Sequence, residues 1–442
     1  MRLRKTITTI VATAILLAGW QLFAVIANQP ELIPSLPRLV RTLCEWLVSG
    51  SFYQSVGATI LRGVLGMSIS FVCAIGMAGL FARFEWVYEL FRPLLAIMRS
   101  IPVISFILLA LIFLNPESIP LMIAFLTMFP LLTENLTRGI LDLRPGLSIM
   151  ARQFHIRRSN VLFQIIYPQL KPFLYSGLAS AAGFGWRAII MGEVLSQCAF
   201  GIGSEMKRAQ NFIAVPELLA WTIVAVFISF FFDKGISKVA DITPKISFAN
   251  EDQTIPTPTL SVLDTKDISY QYGIQHFSHS FQKGIIYGIS APSGKGKTTL
   301  LNLIGGILLP TEGEIHPTRH FGIATIFQQP QLLPHLSAEE NIILPLSSFL
   351  TEEKARRIAQ KHLQEMEMEP FGNRYPKELS YGQQQRIAIA RALAYPSPLL
   401  LMDEPFKGLD EALSHRIIER IREKQMKEER IIPVSYTHLT LP

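Results

Sequence analysis

The chain is poor in cysteine and poor in charge. Its three cysteines, Cys44, Cys73 and Cys198, are scattered over 442 residues. They are too few and too far apart for a disulfide framework or a zinc site, and they read as packing residues. Charged residues make up 17% of the chain against 49% hydrophobic, whereas soluble domains carry roughly 25% charge, which excludes an ordinary soluble protein. The net charge is +7, but no basic cluster is interleaved with aromatics, so no nucleic-acid partner is expected. No solenoid-type repeat occurs. No small-residue cleavage site follows the apolar run that begins after Met1-Arg-Leu-Arg-Lys5, so this run is expected to be a first transmembrane helix rather than a signal peptide.

What is present falls into two unlike halves. Up to about residue 240 the sequence is a series of apolar runs, each long enough to cross ~30 Å of hydrocarbon as a helix. Further spans are expected at about 57–81, 93–114, 119–140, 174–197 and 215–233, which makes about six. Basic residues concentrate at the N-terminus and in alternate loops, including Arg83, Arg92, Arg144, Arg152, Arg157, Arg158 and Lys171. The N-terminus and the segment after the last span therefore face the cytoplasm, and the protein is expected in the cell membrane as a multi-pass chain in contact with the lipid bilayer. Arg62, Arg99, Glu134, Arg187 and Glu193 fall inside or beside the apolar runs, where ions mark a pathway or pair to hold helices together. Residues 241–259 are polar and proline-containing, the composition of a linker, and 260–442 read as a soluble α/β domain.

That second half opens with a strand-like run, 284–290, followed by Ala291-Pro-Ser-Gly-Lys-Gly-Lys-Thr-Thr299 and an apolar helical run, 300–304. This is a phosphate-binding loop. Ala291, Pro292, Ser293, Gly294, Lys295, Gly296 and Thr299 allow backbone N–H groups to turn around a triphosphate, Lys297 reaches the phosphates, and the Thr298 hydroxyl is placed for Mg²⁺. Downstream, Leu399-Leu-Leu-Met-Asp-Glu-Pro405 reads as a buried parallel strand delivering acids to its edge. Asp403 is expected to hold Mg²⁺ and Glu404 to polarise the attacking water.

Between these motifs lies Glu378-Leu-Ser-Tyr-Gly-Gln-Gln-Gln-Arg386, which resembles the signature motif of ABC ATPases with Tyr381 in place of a glycine. The resemblance covers the whole second half. Phe327-Gln-Gln-Pro330 resembles the Q-loop, with Gln328 near Mg²⁺ and the attacking water, Gly408-Leu-Asp410 resembles the D-loop, and Tyr272 resembles the aromatic that stacks on adenine. It implies ATP and Mg²⁺ as cofactors. In the family the signature site serves the nucleotide held by the partner domain, so Ser380, Tyr381, Gly382, Gln383 and Asp410 are expected to reach the ATP of a second copy. Where the family has a γ-phosphate histidine this chain has His438, slightly late, and 436–442 read as a translated read-through tail of an incomplete record. Two departures carry expectations of their own. If position 291 requires φ > 0, alanine costs about 1 kcal/mol there, and a phenol at 381 crowds the second phosphate site if the pocket lacks room.

The loop Leu147-Ser-Ile-Met-Ala-Arg-Gln-Phe-His-Ile-Arg-Arg158, continuing to Ile165 and Pro168, resembles the coupling motif of ABC importer permeases. Ala151, Ile165 and Pro168 fall in register, His155 replaces the glycine, and Phe154 and Ile156 would supply apolar surface to an ATPase cleft. Leu32-Ile-Pro-Ser-Leu-Pro37, Met98-Arg-Ser-Ile-Pro102 and Gly185-Trp-Arg-Ala-Ile-Ile-Met-Gly-Glu193 resemble the nitrate, sulfonate, taurine and thiamine-precursor branch. The expected fold is therefore an α-helical polytopic membrane domain at 1–240, then an α/β P-loop ABC ATPase domain with a RecA-like core and a helical subdomain. The expected function is ATP-driven import of a small solute by a homodimer with an external solute-binding protein. An exporter half-transporter and a non-transporting nucleotide-binding regulator are the alternatives.

Overall fold

The computed structural model describes residues 2–240, 244–253, 260–271, 273–292, 294–317 and 322–436, without the side chains of 2–6, 9 and 10. In chain order the helices of the first part are α1 (Arg2–Ala27), α2 (Leu36–Trp46), α3 (Gly50–Arg83), α4 (Glu85–Ser100), α5 (Val103–Phe113), α6 (Ile119–Leu141), α7 (Pro145–Gln153), α8 (Arg158–Asn160), α9 (Tyr167–Ser196), α10 (Ile202–Asn211) and α11 (Val215–Ala240). There follow β1 (Val262–Tyr270), β2 (Ile274–Gln282), β3 (Ile286–Ser290), α12 (Lys297–Ile304), β4 (Glu312–His316), β5 (Ala324–Ile326), α13 (Ala338–Leu346), α14 (Glu352–Glu365), α15 (Tyr381–Ala394), β6 (Leu400–Asp403), α16 (Glu411–Glu428) and β7 (Ile432–Tyr436). These divide into two compact units, Met1–Leu143 with Leu170–Ile242, and Arg144–Gln169 with Thr243–Pro442.

The first unit is helical because its apolar runs leave no other way to satisfy the backbone away from water. Among the described residues four helices are long and apolar enough to cross a membrane: Gly50–Arg83, Pro116–Leu141, Arg158–Ser196 and Val215–Ala240. Two of the expected spans take another form. The stretch expected as one span over 93–114 is broken, with α4 and α5 meeting at 94°. Pro102 follows Ile101 and holds it extended, at φ −71 and ψ 130, as a pre-proline residue prefers. In α1 the apolar part is the shorter Val11–Ala27. The unit's centre is small-residue packing of α3, α6 and α9, where Ala74 and Ala78 meet Ala124, Met128, Leu132 and Ala181. A Cβ at Gly66 would lie 2.6 Å from the Ala124 methyl, so glycine there sets the close approach of α3 and α6.

Four of the five charges expected in or beside the apolar runs are in ion pairs. Glu134 of α6 accepts ion pairs from Arg99 and Arg138. Glu193 is fully buried and accepts from Arg62 at 2.7 Å, from Thr59 at 2.9 Å and from the Gly203 amide at 3.0 Å. Arg62 also reaches Glu117 at 2.6 Å and the Phe200 carbonyl at 2.8 Å. Arg187 is exposed.

The second unit holds two sheets. One is antiparallel in the order β2-β1-β4, and the other is parallel in the order β3-β7-β6-β5. Strands β5, β6 and β7 of the parallel sheet carry apolar runs, as strands covered on both faces do, with Leu400, Met402, Ala324, Ile326, Ile432 and Val434 all buried. Residues 144–169, the expected coupling segment within 1–240, pack in this unit. Leu147, Met150, Ala151, Phe154, Ile156 and Ile165 share one apolar cluster with α13, α15, β5 and β6, and that burial assigns the segment here.

Of the stretch expected as a linker, 241–243 and 254–259 lie outside the described residues, and the rest is pinned in place. Asn160 and Ser247 exchange two hydrogen bonds at 2.8 Å. Gln164 donates to the Pro244 carbonyl at 3.0 Å. The Ala249 and Gln253 amides donate to the Ser347 and Phe349 carbonyls at 3.0 and 2.8 Å.

Candidate active site

Strand β3 leads into the loop 291–296, and α12 begins at Lys297 with Gly296 as its N-cap in the left-handed region at φ 84. Gly294 has φ 80, and both are conformations that glycine adopts without a steric penalty. A Cβ at Gly296 would stand 3.0 Å from the Gly273 carbonyl oxygen, whereas nothing lies within 4 Å of one at Gly294. Among the described residues Ala291 is not one of those with positive φ, so the strain that alanine would have carried there does not arise. Pro292, Gly294 and Lys295 are exposed and Thr299 is half-buried. Tyr272, Ser293 and His438 lie outside the described residues.

Four of the expected polar groups come together at the end of β6. The Thr298 hydroxyl donates to Asp403 Oδ2 at 2.9 Å, and Asp403 is buried. Gln328 Nε2 donates to Glu404 Oε2 at 3.2 Å, and Lys407 stands 3.5 Å from the same carboxylate. Glu404 holds φ 45, a left-handed backbone that non-glycine residues adopt at a cost and that recurs at reactive sites. Lys297 Nζ donates to the carbonyls of Ala291 at 2.6 Å and Pro292 at 3.2 Å. A cavity of about 260 Å³ adjoins this end, lined by Thr298, Gln328 and Asp403 together with Gly146, Ile149 and Gln331.

The residues present fit a nucleoside triphosphate with a divalent ion. A hydroxyl and a carboxylate already in contact form a hard-oxygen pair of the kind Mg²⁺ takes. An ammonium resting on loop carbonyls has donors to give to phosphate oxygens, and the two left-handed glycines open the loop's amides beside a helix N-terminus.

The signature residues form a second group. Ser380 caps α15, accepting from the Gln383 amide at 3.3 Å while Gln383 Oε1 accepts from the Ser380 amide at 2.9 Å, a reciprocal capping box. Gly382 lies against the backbone beyond β6, since a Cβ there would be 2.7 Å from the Gly408 carbonyl oxygen. Asp410 caps α16 by accepting from the Leu413 amide at 2.8 Å. One bond joins this group to the first, from the Tyr381 hydroxyl to the Gln328 carbonyl at 2.8 Å.

Of the segment's expected coupling residues, Ala151, Phe154, Ile156 and Ile165 are buried, Pro168 is half-buried and His155 is exposed. His155 has φ 47, which explains why a glycine suits that position. Three residues that the sequence reading passed over tie this segment to the site. Gln153 Nε2 donates to the Gly305 carbonyl at the end of α12, at 2.9 Å, and its own carbonyl accepts from the Ile323 amide at 2.7 Å. Asn160 bonds Ser247 of the expected linker and donates to Ser347 Oγ at 2.9 Å. Arg391, 1% exposed, donates to the Pro330 and Gln331 carbonyls at 2.8 Å each and lies 5.4 Å from the centre of the Phe154 ring. Burial pulls its guanidinium down to about 9, so it is still charged at neutral pH. The signal was an arginine inside the apolar run 387–394, since a buried charge needs partners.

Residues 274–407 match the family model described as ABC transporter, and residues 68–233 match the model described as binding-protein-dependent transport system inner membrane component. An uncharacterized ABC transporter ATP-binding protein of Methanocaldococcus jannaschii is 37% identical over 178 residues, covering 36% of this chain and 75% of the relative. An Fe(3+) ions import ATP-binding protein of Rhizobium etli is 37% identical over 35% of this chain and 46% of its own length. A spermidine/putrescine import ATP-binding protein of Nitrosomonas europaea is 34% identical over 40% and 53%. The chain thus spans about half the length of these two import proteins. Among solved structures, the dimeric post-hydrolysis state of an ATP-binding cassette bound to ADP and Pi is 31% identical, covering 40% of this chain and 88% of that one, with a TM-score of 0.38.

Proposed function

The chain belongs to the ABC transporter family, a membrane protein with a permease region and an ABC-type ATP hydrolase on one polypeptide, and on that premise we propose that it is an importer. It takes a small solute, of the nitrate, sulfonate, taurine or thiamine-precursor type, from an external binding protein and passes it into the cytoplasm. Each chain has one phosphate loop and one signature motif, so two copies supply both halves of each composite site. The N-terminus and the hydrolase unit lie on the cytoplasmic side.

Bound ATP supplies the anhydride whose cleavage drives the cycle, and Mg²⁺ offsets the charge on it. The backbone N–H groups of the phosphate loop, with those of Gly294 and Gly296 among them, and Lys297 would hold the phosphates. Thr298, Asp403 and Gln328 would hold the metal. Glu404, oriented by Gln328 at 3.2 Å, takes the proton from the attacking water. Segment 144–169 carries motion away from the site, because Phe154 packs on the arginine that holds the Q-loop backbone and Gln153 grips the end of the phosphate-loop helix.

The observation that most supports coupling is that seat: a loop of the permease sequence sharing its apolar core with the hydrolase beside the Q-loop. The test is ATP turnover of the chain reconstituted in lipid, with Glu404→Gln as control, with and without binding proteins loaded with sulfonate, nitrate or thiamine-precursor ligands. Stimulation by one loaded binding protein is the expected result and names the substrate class. Glu404-dependent turnover indifferent to all of them favours export, and its absence favours a regulator.

A further inference from the structure

We propose that Tyr381 is a positioning residue: its hydroxyl holds Gln328 in register with Glu404, so that the start of the signature helix governs hydrolysis in its own chain. This rests on the reading of Glu404 as the hydrolytic carboxylate. The family's glycine at this place has neither ring nor hydroxyl, and here both are engaged. The hydroxyl donates to the Gln328 carbonyl at 2.8 Å, and the Gln328 side chain donates to Glu404 at 3.2 Å. Two hydrogen bonds therefore separate the N-terminus of α15 from the carboxylate. The ring, 43% exposed, has a neighbour on one side. It lies against Gly408, where a Cβ would come within 2.8 Å of Tyr381 Cδ1 and where φ is 79, a position that only glycine occupies without strain.

The rest of α15 holds the same stretch. Arg391, ten residues further along the helix, donates to the Pro330 and Gln331 carbonyls, so the helix fastens three carbonyls of the Q-loop from two points. Glu404 belongs to the end of β6, which is a different element. The start of α15 also touches the turn after Glu404, with Gln385 Nε2 donating to the Pro405 carbonyl at 3.0 Å, so it seats the Q-loop and that turn together and sets the register of Gln328 with Glu404. The phenol is half-exposed, and its hydroxyl end rests on its own chain's Q-loop. It turns a motif that serves the neighbouring copy's nucleotide into a sensor of the local one as well.

The experiment is a double-mutant cycle in the full chain reconstituted in lipid, using Tyr381→Phe and Gln328→Ala and reading turnover against ATP concentration. Tyr381→Phe keeps the ring and removes one hydrogen bond. We expect kcat to fall about fivefold with KM for ATP unchanged, the signature of a contact made in the reacting state. In the Gln328→Ala background, which lacks the amide that needs positioning, the same substitution changes kcat by less than about twofold, because both act through one contact. Equal losses in the two backgrounds, a raised KM with unchanged kcat, or wild-type behaviour of Tyr381→Phe each overturn the assignment. The first two would point to contact with the other copy's nucleotide and the third to ring packing alone. Absence of Glu404-dependent turnover in the wild-type chain overturns the assignment together with the reading it rests on. Turnover with an additive cycle overturns the tyrosine's role and leaves Glu404 in place.

Discussion

Each unit of this protein gathers ionisable side chains around a buried carboxylate, and the two gatherings differ in what is left open. Around Glu193 in the membrane unit an arginine, a threonine hydroxyl and a backbone amide all donate inward, and the neighbouring backbone closes the remaining space, since a Cβ at Gly201 would touch the carboxylate carbon at 2.6 Å. Around Asp403 in the hydrolase unit the Thr298 and Gln328 side chains line an open cavity, with the Gln328–Glu404 contact beside it. A closed set of partners fixes helices against one another, as a buried polar network must be satisfied to be tolerated. An open set has donors and acceptors to offer a ligand. Similar residue types thus close around the carboxylate in one unit and border a cavity in the other.

The comparison is broken most directly by exchanging the expected readouts. Glu404→Gln and Asp403→Asn should each lower ATP turnover by about a hundredfold or more while leaving thermal unfolding of the detergent-solubilised chain within a few degrees of wild type. Glu193→Ala should do the reverse at the level of the fold. It leaves Arg62 with Glu117 as its one remaining carboxylate partner and should cost about 1–3 kcal/mol of stability, whereas Glu193→Leu combined with Arg62→Met recovers most of that loss. If Glu193→Ala left unfolding unchanged and instead abolished turnover, the closed cluster would have a chemical role and the distinction would fail.

How much of this was legible in the residues depended on range. The phosphate loop and the Asp403-Glu404 pair are chemistry carried by contiguous residues, and local order along the chain is enough to read them. The segment 144–169 was legible by spacing rather than letters: Ala151 and Ile165 kept the register and are buried, and Phe154 and Ile156 were expected against an ATPase cleft, but the side chains they meet required the fold. The break between α4 and α5 was present as Ile101-Pro102 and was overridden by hydropathy, which averages over a window and cannot see one pre-proline residue. Tyr381 with Gln328, Gln153 with Gly305 and Arg391 with Pro330 join residues 53, 152 and 61 positions apart, and nothing local announces such pairs.

A closed cluster in the hydrolase unit sharpens the comparison further, since by the same logic it should register in stability and not in turnover. His362 is buried on α14 and its ring is held down to about 3, first by burial and then by Lys424, Lys361 and Arg430, with Glu365 on its other side. The folded chain keeps it neutral, whereas the unfolded chain protonates it below its ordinary value near 6.5. Its contribution is therefore fully present above about pH 6.5 and is lost as the pH falls toward 3, amounting to about 2 kcal/mol by pH 5. The His362→Gln variant should lose that part of the acid sensitivity of unfolding while its turnover at neutral pH stays near wild type.

The smallest expected effect belongs to a change that touches neither cluster. His155 occupies a left-handed backbone position at φ 47 with its side chain exposed, and its amide donates to the Arg152 carbonyl at 3.2 Å whatever the side chain is. Glycine there removes the steric cost of the conformation but gives the unfolded chain more freedom, two terms of similar size and opposite sign. Because the native φ is positive, the steric term outweighs the other, and His155→Gly should raise stability by about 0.5–1 kcal/mol, read as a small upward shift in unfolding temperature. Turnover should not change, because the flanking Phe154 and Ile156 anchor the segment through burial rather than through the residue between them. A loss of binding-protein stimulation in this variant would mean that the histidine side chain itself takes part in coupling.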